Sequence, residues 1–110
     1  MNTIDSYFPY AEYRPGQRHM LEVAAQCARE GGITMIDAPT GSGKSSVIAS
    51  LLAERKGRKI VIAVRTVSQL TTFIRELELV RKKQPRLKTV YLVGKVSMCR
   101  WPGRYSAYGK

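Results

Sequence analysis

Residues 37 to 46 read DAPTGSGKSS, two glycines, one lysine and a cluster of hydroxyl side chains placed directly after the apolar run ITMI. Residues of these types at this spacing suit the enclosure of an anion by backbone. Gly41 and Gly43 can take conformations closed to other residues, so the chain can fold around a phosphate. The amides of roughly Gly41 to Ser46 then converge on the anion, and a following helix start adds positive potential. Lys44 supplies a mobile charge for the β- and γ-phosphates, and Ser45 a hydroxyl for Mg²⁺. These two are the expected catalytic side chains. Thr40, Gly41, Ser42, Gly43, Lys44, Ser45 and Ser46 are the expected nucleotide contacts, with ATP as ligand. The pattern is the Walker A spacing G-x-x-x-x-G-K-[ST] with Ala38 in place of its first glycine. The alternative is an ordinary Gly/Ser turn carrying a solvated lysine.

A phosphate loop of this kind requires a strand before it and a helix after it. Apolar residues recur at helical spacing over 17–29, ended by Gly31 and Gly32, over 44–55, ended by Gly57, and over 67–83, ended before Pro85. Three short apolar runs, 33–37, 59–64 and 88–93, alternate with them and read as buried strands. The order predicts βαβ units and an α/β fold with a parallel sheet and flanking helices.

Composition narrows the partners. The chain of 110 residues has 19 Lys and Arg against 8 acidic residues, a formal charge of +11, which favours polyanions. No apolar run approaches the roughly 18 residues of a membrane span, and the first residues lack the features of a secretory signal. No membrane partner is expected, and the expected location is inside the cell. Cys27 and Cys99 do not read as a disulfide framework.

Together with the loop, EYRPGQRHML (12–21), VRTVSQLTTFIREL (64–77), YLVGKVSMCR (91–100) and RWPGRYSAYGK (100–110) resemble the superfamily 2 DNA helicases that carry an iron-sulfur cluster, the XPD and DinG family. Ala38 fits, since helicases often read A-x-x-G-x-G-K-[ST]. The resemblance implies a P-loop NTPase fold of the RecA-like kind, with 1–94 forming the N-terminal part of motor domain 1 and 95–110 opening the cluster domain. It also implies that Arg14 and Gln17 read adenine. The alternative for these two is helix-start chemistry, with Pro15 at the first turn. Arg65, Thr66, Ser68 and Gln69 are implied to grip a single-stranded backbone, against simple N-capping by Thr66 or Ser68.

Cys99 is implied to be the first thiolate of a 4Fe-4S cluster, which needs further ligands from a complete protein, while Cys27 reads as a small buried hydrophobe. Trp101, Tyr105 and Tyr108, interleaved with cations, suit stacking on bases, and an unstructured tail is the alternative reading. The expected function is the ATP-binding portion of an ATP-dependent DNA helicase acting on single-stranded and duplex DNA. Its remaining partners would be the rest of the cluster domain and the second motor domain. Because no acidic box follows the loop within these residues, hydrolysis by them alone is expected to be slow. Another P-loop ATPase, or a basic nucleic-acid-binding protein without activity, are the competing classes.

Overall fold

The structure, a computed structural model, describes residues 3–94. Helices α1 (Thr3–Tyr7), α2 (Gln17–Glu30), α3 (Ile48–Ala53) and α4 (Val67–Lys83) form it, and a 3₁₀ turn, Lys44–Val47, runs directly into α3.

The expected parallel sheet is not present: no strand forms among the described residues. Runs 33–37 and 59–64 connect helices and 88–93 follows α4, none of them pairing into a ladder, and Ile33 is 94% exposed, Val61 90% and Val90 89%. A strand inside a parallel sheet has neighbours on both edges and helices over both faces. These runs are covered on one side at most: Ile60 and Ile62 pack against the core while Val61 between them faces outward. Their apolar sequence therefore fits a one-sided packing on helices as well as it fits a buried strand, and the α/β expectation is corrected to a helical arrangement.

The helices form where the periodicity places them. In α2 the buried Met20, Leu21, Ala24 and Ala25 share one face, and Gly31, at a φ of 84° that favours glycine, ends the helix with its amide on the Cys27 carbonyl at 2.7 Å. In α4, Thr66 accepts from the Gln69 amide while the Gln69 side chain accepts from the backbone of Arg65 and Thr66, a complete capping box. Arg81, Lys82 and Lys83 in its last turn complement the helix dipole.

The five-residue α1 was not foreseen, and a helix so short cannot hold itself. It is fixed from outside by burial of Ile4 and Phe8 and by the end of α4, whose Lys83 Nζ donates to the Phe8 carbonyl at 2.6 Å and Gln84 Nε2 to the Ser6 carbonyl at 3.1 Å.

The core lies on both sides of α3. Ala49 joins Ile4, Phe8, Met20, Leu21 and Ala25, whereas Ile48 and Leu52 join Val80 and Leu87. Ser50, fully buried, donates to the Leu21 carbonyl at 2.6 Å and ties α3 to α2. The helix that follows the DAPTGSGKSS loop is thus the most enclosed element, and the loop inherits a fixed exit.

Candidate nucleotide-binding site

The loop closes on itself through its own carbonyls. Ser42 donates to the Pro39 carbonyl from both its amide, at 3.2 Å, and its hydroxyl, at 2.6 Å; Ser46 donates to the Gly43 carbonyl from its amide at 3.1 Å and its hydroxyl at 2.6 Å. Gly41 and Gly43 take positive φ of 85° and 80°, the left-handed backbone the sequence requires of them. The carbonyls of Ala38, Pro39, Gly41 and Gly43 all accept from protein donors. The amides of Ser42 and Ser46 are committed within the loop, which leaves those of Gly41, Gly43, Lys44 and Ser45 without a hydrogen bond to the protein among the described residues. The expected cradle of amides from Gly41 to Ser46 is narrowed accordingly.

Arg14 and Gln17 support the loop from behind. Arg14 Nη1 donates to the Gly41 carbonyl at 2.7 Å. Gln17, 3% exposed, donates from Nε2 to Ser46 Oγ at 2.8 Å and to the Gly43 carbonyl at 3.3 Å, and accepts from the Arg14 amide at 2.9 Å through Oε1. Both Nε2 hydrogens of Gln17 are thus given to the loop, while Oε1 accepts a single bond. Gly43 is closed against it: a Cβ there would overlap the Gln17 amide and lie 3.1 Å from its Cδ. Lys44, exposed, folds its ammonium onto the Ala38 carbonyl at 2.9 Å, where a phosphate could take over as acceptor.

Beside the loop lies a cavity of about 410 Å³, bounded by Gly16, His19, Met20 and Val23 of the α2 start and by Met35 to Pro39 and Ser42 of the loop. Its volume and its mixed apolar and polar wall suit a small organic ligand. On the other side of Lys44, an apolar groove of about 280 Å³ runs between Ile48, Leu51, Val61 and Phe73.

A carboxylate that sequence reading missed stands on α4. Glu76, 8% exposed, accepts from Tyr10 Oη at 2.6 Å and from Ser45 Oγ at 3.3 Å on Oε1, while Oε2 is buried with no partner among the described residues. Burial, followed by the hydrogen bond to Glu76, pushes the Tyr10 phenol up to about 12. The signal was in the spacing: Glu76 sits on the apolar stripe of α4, three residues after Phe73 and four before Val80, where a charged residue needs a reason. Around α1, Tyr13 donates to Asp5 and stacks on Phe8 at 4.1 Å between ring centroids, and Arg18 pairs with Asp5 at 2.9 Å. Burial, then its bond to Asp5, raises Tyr13 to about 12 as well.

Arg65, Thr66, Ser68 and Gln69 are all exposed at the start of α4. Thr66 and Gln69 are committed to the capping box. Arg65 and Ser68 present side chains outside that box. Cys27 is half-buried in α2, not fully buried as expected. Cys99, Trp101, Tyr105 and Tyr108 lie outside the described residues, and no group of three or more His, Cys, Asp or Glu that could hold a metal occurs among the described ones. No helix among them is long and apolar enough to cross a membrane.

A glycine loop with lysine and serine at its exit, braced from behind by arginine and glutamine, is a candidate phosphate-binding site of the nucleotide-dependent class. Over 94 residues the chain is 28% identical to a protein of Methanocaldococcus jannaschii described as a probable ATP-dependent helicase, a match that covers 84% of this chain. The similarity supports a relationship to helicases. The chain spans 14% of the length of that relative. No protein-family description and no solved structure matches the chain.

Proposed function

We propose that this chain binds ATP at the 37–46 loop and forms the ATP-binding portion of an ATP-dependent DNA helicase of the XPD and DinG type. The observation that carries the reading is the loop itself: two left-handed glycines, carbonyls held by protein donors, and Lys44 and Ser45 at the exit. Lys44 would exchange the Ala38 carbonyl for the β- and γ-phosphates. Ser45 would offer its hydroxyl to the nucleotide's Mg²⁺, which neutralises phosphate charge when bound. The nucleoside would lie in the cavity between the start of α2 and residues 35–42. In place of adenine contacts, Arg14 and Gln17 would keep the loop in its binding shape.

The relative's description as a helicase and the charge of +11 support nucleic acid as the second partner. Arg65 and Ser68 would meet the single-stranded backbone, with Thr66 and Gln69 fixing the helix start that presents them. For the cluster, Cys27 and Cys99 are the two cysteines of the sequence and four thiolates are needed, so these residues do not fit a 4Fe-4S cluster by themselves.

Competition against a fluorescent ATP analogue tests the reading. ATP and ADP should displace the analogue far better than AMP, because the loop binds the outer phosphates. Displacement by AMP and adenosine as good as by ATP would contradict it.

A further inference from the structure

We infer that Asp37 and His19 recognise the nucleoside half of the ligand, Asp37 accepting from the ribose hydroxyls and His19 lying against the base. The inference rests on the loop being a nucleotide site whose adjoining cavity takes the nucleoside, and it names the residues that read that half.

Four polar side chains border the cavity: Gln17, His19, Asp37 and Ser42. Two of them are already committed. Gln17 gives both Nε2 hydrogens to the loop, and the Ser42 hydroxyl donates to the Pro39 carbonyl. His19 belongs to α2 and Asp37 to the 33–37 run; both are exposed, and their side chains have no hydrogen bond or ion pair among the described residues. They are therefore the groups open to a ligand in a space of about 410 Å³.

The chemistry of these two divides the ligand between them. A carboxylate ion only accepts hydrogen bonds, so Asp37 suits the two adjacent hydroxyls of a ribose and repels a phosphate. That repulsion gives the site a direction, with the sugar towards Asp37 and the phosphates towards Lys44 and the free amides of Gly41 and Gly43. Asp37 stands four residues before Gly41, at most about 14 Å along the chain, and the ribose and outer phosphates of one nucleotide fit within that reach. Met20, Val23, Met35 and Ile36 supply an apolar wall for a flat base. The His19 imidazole is the one aromatic ring on that wall, and bases stack on such rings.

The test uses the full chain and two readouts. His19 is the only histidine of the sequence, so its imidazole signals can be followed by nuclear magnetic resonance without assignment. ADP should shift them, whereas inorganic tripolyphosphate, which carries no nucleoside, should bind the loop and leave them in place. Wild type should also bind ADP about 10-fold more tightly than 2′,3′-dideoxy-ADP, the loss expected for hydrogen bonds to a charged group. Asp37→Ala, checked for folding by circular dichroism, should abolish that preference. Equal affinity of wild type for the two compounds, or an undiminished preference in folded Asp37→Ala, overturns the assignment of Asp37. ADP binding without movement of the His19 signals, or equal movement with tripolyphosphate, overturns that of His19. In each of these cases the loop still binds phosphate and its reading stands. Binding of neither ADP nor tripolyphosphate by folded wild type overturns the loop reading, and this inference with it. Should Asp37→Ala not fold, the wild-type preference and the His19 shifts decide the matter.

Discussion

Gln17 makes three hydrogen bonds from one buried amide, to the Arg14 backbone, the Gly43 carbonyl and Ser46 Oγ, and so couples the start of α2 to the exit of the loop. Removing it leaves a cavity and unsatisfied partners, and Gln17→Ala should cost about 1–3 kcal/mol in urea unfolding. The glycines separate two effects. Both lie at positive φ, but a Cβ at Gly41 meets open space whereas one at Gly43 meets Gln17. Gly41→Ala should therefore lose about 1–2 kcal/mol from backbone strain alone, and Gly43→Ala clearly more. Equal losses would mean that the packing of Gln17 on Gly43 contributes nothing. At this scale the sequence was informative where chemistry is local: glycine before lysine before serine has few uses. Arg14 and Gln17 stood out in the sequence for a base contact or for helix-start chemistry, whereas their bonds to the Gly41 and Gly43 carbonyls left no signal there, since an amide that can read adenine can equally satisfy a carbonyl. Glu76 was passed over because a charged residue in a helix of mixed composition is usually on the solvated face.

The helices could be read closely, α4 over its full span Val67–Lys83 and α2 to within a residue of its end, because apolar periodicity and terminators mark them directly. The 44–55 helix splits into a 3₁₀ turn and the shorter α3. The strands failed for a physical reason. An apolar run states that a segment needs cover, not which element supplies it, and 59–64 obtains it from the α3 and α4 core on one side only. At the start of α4 the cap and the proposed DNA grip can be told apart by substitution. Thr66→Ala should lose about 1 kcal/mol of stability through the lost cap. Arg65→Ala should leave stability unchanged, weaken single-stranded DNA binding and reduce the salt slope by about 1. Loss of stability in Arg65→Ala with unaltered DNA affinity would assign Arg65 to the fold instead.

For the molecule as a whole, α3 is packed from both sides, and α1 and its tyrosines close the open flank of the core near the loop. Tyr10 and Tyr13 stay protonated in the folded chain up to about 12, against the ordinary 10.0. A group whose folded value is raised contributes stability that is fully present below the ordinary value and lost as pH rises through the folded one. Stability should thus decline between pH 10.0 and about 12. The decline should be shallower in Tyr10→Phe, as followed by denaturant unfolding beside a tyrosinate absorbance titration. The same phenol donates to the Glu76 oxygen that accepts from Ser45, so Tyr10 and the loop exit are linked through one carboxylate. All of this leads back to the 37–46 loop, and calorimetric titration of Mg-ATP into wild type and Lys44→Ala tests it most directly. Saturable binding by wild type that Lys44→Ala removes, with both chains folded, is the predicted result. No binding by folded wild type, or equal binding by Lys44→Ala, would contradict the assignment of this loop to nucleotide phosphates.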